Sequence, residues 1–214
     1  RDLSVATAQE LAEGVTTVSA SLAIAERAGI ETFATGGIGG VHRSSAETGD
    51  ISADLNAIAR RNVLVVSAGA KAFLDLPRTL EFLETHSVPV LGWKTLDFPA
   101  FYVRNSGLRV GHRVESALEV AKIHQSRRAL GQGGSLLAVP IPEDAELDAQ
   151  SINAAIAESL ARVEQQKISG AQITPHVLAA IETATEGQSV AANLALAENN
   201  ASIAARVAVE LAAL

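Results

Sequence analysis

Cysteine is absent from the 214 residues, which excludes a disulfide framework, a thiolate metal site and a thiol nucleophile. Methionine is absent as well, so the chain carries no initiator and is expected to be a processed product or a piece of a longer one. Aromatic residues reach only 3%, too few for the stacking platforms that hold single-stranded nucleic acid. Basic residues are outnumbered, 17 against 24 acidic ones, for a net charge of -7. That is the wrong sign for a nucleic-acid surface or a polybasic membrane patch. No run approaches the roughly 18 apolar residues of a membrane span, and no apolar segment follows Arg1-Asp2-Leu3-Ser4 as a signal peptide requires. A soluble, cytoplasmic protein is expected.

What is present is a globular composition, 48% hydrophobic with 16 glycines and 6 prolines, enough to bury a core without staples. Helical and extended patterns alternate. Helices are expected over Leu3 to Glu13 (broken by Gly14), Thr17 to Ala28 (closed by Gly29), Ser52 to Arg61, Pro77 to Thr85 and Ser116 to Leu130. Three more follow at Gln150 to Lys167, Pro175 to Glu186 with Thr174 as cap, and Ser189 to Leu214. Strands are expected at Glu31 to Thr35, Val63 to Ser67, Val88 to Gly92 and Ser135 to Val139, with Leu108 to His112 extended. The continuous apolar runs VLVVS and SLLAV suit strands covered on both faces. The expectation is a layered α/β/α domain with a mainly parallel central sheet and alanine-rich C-terminal helices.

Ligands of such sheets collect beyond the carboxyl ends of the strands, where Gly36 to Arg43, Ser67 to Lys71 and Val139 to Pro142 fall. The glycine run breaks the GxGxxG fingerprint at His42, and there is no Walker A or HExxH motif. Ser67 and Lys71 are not at the SxxK spacing. The glycines leave two readings open, a plain turn or a close approach to ligand. Lys71 is one of four lysines and follows a buried strand. Desolvation there would favour a neutral, nucleophilic amine, whereas a lysine reaching to the surface would stay an ordinary cation. Asp50, Ser52 and Asp54 alternate, which suits a hard cation such as Mg²⁺ or Mn²⁺ beside a helix N-terminus open to phosphate; simple helix capping by Ser52 and Asp54 is the alternative. His42 with Arg43 offers an anion or proton-transfer site, or a solvated loop end. Thr16, Thr17 and Val18 offer another helix N-terminus. Asn193, in an apolar run, could read a nucleobase edge or find a backbone partner in the core. His86, His112, His124 and His176 form no pair at metal-ligand spacing.

Phe33 to Arg43, Asp50 to Leu55, Ser67 to Lys71, Leu80 to Thr85, Asp97 to Tyr102 and Pro140 to Pro142 together resemble the pseudouridine-5′-phosphate glycosidase family, which includes proteins once named for indigoidine synthesis. The similarity runs in order over nearly the whole chain, and the long glycine motif is highly specific. Residues 1–214 look like a single domain of this family lacking its N-terminal third. The resemblance implies a hydrolase or lyase of nucleotide catabolism that reversibly cleaves the C–C glycosidic bond of pseudouridine 5′-phosphate to uracil and ribose 5-phosphate.

By the same resemblance Lys71 is the nucleophile that forms a Schiff base with the sugar, and Asp50 is the ligand of one Mn²⁺. Val18, Ser52, Ala53 and Asp54 touch substrate, Asn193 meets the uracil and His42 lines the site. A homotrimer is implied, with no nucleic-acid polymer or membrane as partner. The chain departs from the family in two ways: the catalytic glutamate of a Glu-Ser-Thr motif and a substrate-contacting lysine are both expected ahead of Arg1. Two other readings stand beside this one. The chain could be a non-catalytic remnant that binds a sugar phosphate, or another imine-forming enzyme such as a metal-independent aldolase.

Overall fold

The computed structural model describes residues 3–9, 15–168 and 172–214. In chain order its elements are α1 (Leu3–Ala8), α2 (Val18–Arg27), β1 (Thr32–Ala34), α3 (Ser45–Thr48), α4 (Ala53–Arg60), β2 (Leu64–Ser67), α5 (Leu76–Thr85), β3 (Val90–Trp93), β4 (His112–Val114), α6 (Ala117–Ala129), β5 (Ser135–Ala138), α7 (Ala149–Gln165), α8 (Ile173–Ala184) and α9 (Gln188–Ala213). The expected first helix ran on to Glu13, and Glu10 to Gly14 lie outside the described residues. The five strands are all parallel, in the order β1-β2-β5-β3-β4.

The apolar runs are continuous because both faces of the central strands are covered. Every residue of β2 and β5 is buried. Val65, Leu136 and Ala138 enter one core with Leu22 of α2, Leu55 and Ile58 of α4, and Leu83 of α5. Their neighbours Leu64, Val66 and Leu137 point the other way, onto Val120 and Ala121 of α6 and Ile203 and Val207 of α9. Two helical layers therefore enclose the sheet. The α7–α8 pair extends the first layer through Ile152, Ile156, Val163, Val177 and Ile181.

Local chemistry sets most of the helix ends. Gly29 closes α2 at a φ of 71°, the amide of Ile30 returning to the Ala25 carbonyl and that of Gly29 to Glu26, the two bonds of a Schellman motif. Asp75 caps α5 at the Arg78 amide, and Ser116 caps α6 at the Glu119 amide. Two expectations shift. Thr174 and Pro175 sit within the first turn of α8 rather than ahead of it, because buried Ile173 draws the helix start into the core; proline is tolerated there, where its missing N–H has no partner. The strand expected around Leu108 begins later, at His112. The segment before it folds back on itself instead, with Phe98 N–H on the Leu108 carbonyl and Val110 N–H on that of Leu96.

Candidate active site

Because β1, β2 and β5 are neighbours, the three loops leaving their carboxyl ends open side by side, where ligands of parallel sheets collect. The first two are laced together. The amide of Ala68 donates to the Gly36 carbonyl at 2.8 Å, Ile38 to Gly69 at 3.1 Å, and Lys71 to Ile38 at 3.1 Å. Pairing between β1 and β2 thus runs on past the strand ends through Ile38 and Ala70. It sets Lys71 against the glycine loop by backbone alone. The Lys71 side chain is half-buried and makes no hydrogen bond or ion pair among the described residues.

The glycine run lies close against the protein's own side chains and backbone. A Cβ on Gly39 would stand 2.2 Å from Ser52 Oγ and 2.9 Å from Asp54 Oδ2. A Cβ on Gly37 would stand 2.5 Å from the Phe101 ring. Gly69 combines a φ of 74° with a Cβ position 2.4 Å from the Pro99 carbonyl, so two constraints select glycine there.

The Asp50-Ser52-Asp54 constellation divides. Ser52 caps α4, its Oγ accepting from the Asp54 amide at 3.2 Å. The Asp54 carboxylate, only 5% exposed, accepts from Ser19 N–H through Oδ1 and from Gly39 N–H through Oδ2, each at 2.8 Å. It neutralises the start of α2 and pins the middle of the glycine loop at once. Its oxygens face these two amides, whereas the Asp50 carboxylate lies beside His42. Thr17, the residue before α2, makes no capping bond; Asp54 does that work from 35 residues away. At the start of α4 the Ser52 hydroxyl proton and the Ala53 amide stay uncommitted among the described residues, next to the first turn of α2 where Val18 lies.

Asp50 points elsewhere. Its carboxylate is one-third exposed and lies 3.7 Å from Nδ1 of mostly buried His42, whose ring meets Phe73 edge-on. Among the described residues no three His, Cys, Asp or Glu side chains gather as a metal cage. A divalent ion on Asp50 would therefore keep mostly water ligands, which suits a hard cation that dehydrates reluctantly.

Asn193 does come to the glycine loop: its Oδ1 lies 3.0 Å from the Cβ position of Gly36, and its amide has no partner among the described residues. Phe101 was not singled out by sequence reasoning beyond its place in the Asp97 to Tyr102 segment. Its φ of 64° is left-handed, a conformation that costs a bulky residue about 1–2 kcal/mol and that clusters at functional sites. The Phe101 amide bonds the Ala68 carbonyl, and the ring covers Gly37. Thr79 was also missed. Buried in α5, it accepts from Val41 N–H at 3.0 Å and donates to the Asp75 carbonyl at 2.7 Å, tying the far end of the loop to α5. No local pattern marks a threonine for that task. A cavity of about 320 Å³ opens beyond Ala72 and Arg43, lined also by Leu74, Asn105, Ser106 and Asn153; of the candidate residues Arg43 lines it, while Lys71, Asp50, Ser52, Asp54, His42 and Asn193 do not.

The model of the family described as indigoidine synthase A like protein matches residues 1–210. A pseudouridine-5′-phosphate glycosidase of Caldanaerobacter subterraneus subsp. tengcongensis is 52% identical over 212 residues, 99% of this chain and 69% of the relative. One of Herpetosiphon aurantiacus is 52% identical over 200 residues, 93% of this chain and 66% of the relative. Among solved structures, the prealnumycin C-glycosynthase AlnA in complex with ribulose 5-phosphate superimposes with a TM-score of 0.87 at 39% identity, covering 94% of this chain and 66% of that one. An indigoidine synthase A-like protein from Thermotoga maritima gives 0.83 at 37%, over 92% and 64%. The chain spans about two thirds of the length of these relatives.

Proposed function

The chain belongs to the indigoidine synthase A-like family, and from that premise we propose that it reversibly cleaves the C–C glycosidic bond of pseudouridine 5′-phosphate, giving uracil and ribose 5-phosphate. The relatives' names supply the substrate. The observation that carries the reading is the free, half-buried amine of Lys71, held by backbone bonds at the mouth of three strand-end loops.

A carbon-linked base leaves a glycosidase no heteroatom to protonate, so two carboxylates alone do not suffice. An amine does what they cannot. Lys71 attacks C1 of the sugar, and the ring oxygen departs and takes up a proton. The nitrogen lone pair then forms the C=N bond while the bond from C1 to the uracil carbon breaks and that carbon is protonated. Water hydrolyses the imine, releasing ribose 5-phosphate and the amine. The phosphate is taken by the uncommitted Ser52 hydroxyl and Ala53 amide at the α4 N-terminus, beside Val18, while Asp54 holds the loop against them. Asn193 presents its amide to the base, and His42 borders the sugar.

Asp50 with water would hold Mn²⁺, which when bound supplies positive charge to the sugar phosphate. Replacing Asp50 with alanine is expected to abolish manganese binding followed by electron paramagnetic resonance. The reading extends to a homotrimer in the cytoplasm; the exposed Val190, Leu194 and Val209 on α9 support self-association, and sedimentation tests the number of copies. No helix among the described residues is long and apolar enough to cross a membrane.

Borohydride reduction in the presence of ribose 5-phosphate, followed by peptide mapping, tests the central step. One sugar adduct on Lys71, lost in Lys71→Arg, is expected. A folded protein that traps no sugar overturns the imine. Trapping without release of uracil from pseudouridine 5′-phosphate would favour the binding remnant instead.

A further inference from the structure

Asn200 stands near the middle of α9, and none of its surface is exposed. Its Nδ2 donates to the Thr35 carbonyl at 2.8 Å and, more weakly, to the Gly36 carbonyl at 3.4 Å. Reversing the amide would turn an oxygen towards two carbonyl oxygens, so the donor contacts determine its orientation. Its Oδ1 is buried without a partner among the described residues, a cost borne alongside the two donations. What the side chain supplies is its donors, both spent on the backbone where the glycine loop begins.

The carbonyl of Gly36 also accepts from Ala68 N–H, and the lacing continues through Gly69, Ile38 and Lys71. The same helix brings Asn193 against Gly36, and Asn199 Nδ2 reaches the Pro140 carbonyl at 3.3 Å. We propose that Asn200 is a positioning residue, locking the start of the glycine loop to α9 so that the loop, Lys71 and Asn193 keep one mutual geometry. The catalytic consequence rests on the function proposed above; the mechanical one does not.

The test compares the intact protein with Asn200→Leu, which keeps the volume and removes the donors, and with Asn200→Ala. Asn199→Ala serves as a control on the neighbouring loop. Amide hydrogen exchange is read without ligand over residues 35–41 and 68–71. The half-saturating ribose 5-phosphate for borohydride trapping on Lys71 is read in parallel. Both Asn200 variants are expected to speed exchange in those two segments, while Asn199→Ala speeds it around 139–142 instead. The half-saturating concentration should rise about five- to tenfold, the worth of one good hydrogen bond. Exchange at 35–41 and 68–71 that matches wild type, or that rises only in step with the whole molecule, overturns the positioning role. If wild-type protein traps no sugar, the proposed function fails, and the exchange contrast still decides the role of Asn200.

Discussion

Exchanging Asp54 for asparagine alters one atom of the side chain and tests the claim that this carboxylate builds the site. Both of its oxygens accept backbone amides at 2.8 Å, Ser19 on one side and Gly39 on the other, in a position 5% exposed. Asparagine offers one acceptor. Its NH₂ must face the other amide, donor against donor, in a position nearly closed to solvent. Losing a hydrogen bond to a charged group costs about 1.5–3 kcal/mol, and the surviving bond weakens to a neutral one. The start of α2 also loses a compensating negative charge, worth about 0.3–1 kcal/mol. A total near 3 kcal/mol is expected. With a urea slope of about 3 kcal/mol per molar, the unfolding midpoint should fall by about 1 M. A variant whose midpoint stays within about 0.2 M of wild type on the same scale would refute the reasoning.

Three further outcomes follow from the packing. His124 on α6 is fully buried, with both ring nitrogens unpartnered among the described residues, and burial, with a smaller contribution from Arg127, lowers its pKa from 6.5 to about 4. The unfolded chain therefore binds the extra proton first: stability is complete above pH 6.5 and drains away as pH falls towards 4, by about 3 kcal/mol. His124→Leu should flatten that part of the pH–stability curve while leaving neutral-pH stability equal or higher. Gly133→Ala would place a Cβ 1.8 Å from the Ala59 carbonyl oxygen, where only backbone can yield, and overpacking of this kind costs about 1–3 kcal/mol or more; thermal denaturation reads it. Thr79→Val keeps the shape and orphans the Val41 amide, a loss of about 1–3 kcal/mol that should appear also as faster exchange at Val41.

The strands were legible because a segment covered on both faces has to be apolar throughout, and VLVVS and SLLAV are. Ser52 was legible as a cap because a cap bonds an amide two or three residues away, whereas the Asp75 and Ser116 caps came from the structure. The glycine loop and Lys71 stood out by their place after such strands. Less was visible in Asp50-Ser52-Asp54. Alternation along the chain put two carboxylates on one side, but the start of α4 turns Asp54 inward while Asp50 remains beside His42. Thr79, Phe101 and Asn200 carried no signal, since threonine in a helix, phenylalanine in a loop and asparagine among alanines each have commoner explanations.

What the amino-acid order determined by itself is everything that depends on near neighbours: the layered α/β class, the buried strands, the turns and caps, and the family motifs in their order. Tertiary structure alone decided who meets whom. Insertion of β5 between β2 and β3 leaves it beside β2, so the third loop joins the first two. Asp54 reaches an amide 35 residues back, and Asn200 holds a carbonyl 165 residues away. Those partners are chosen by how helices pack across the sheet, a choice made by the summed burial of distant side chains. No stretch of chain short enough to read as a pattern contains it.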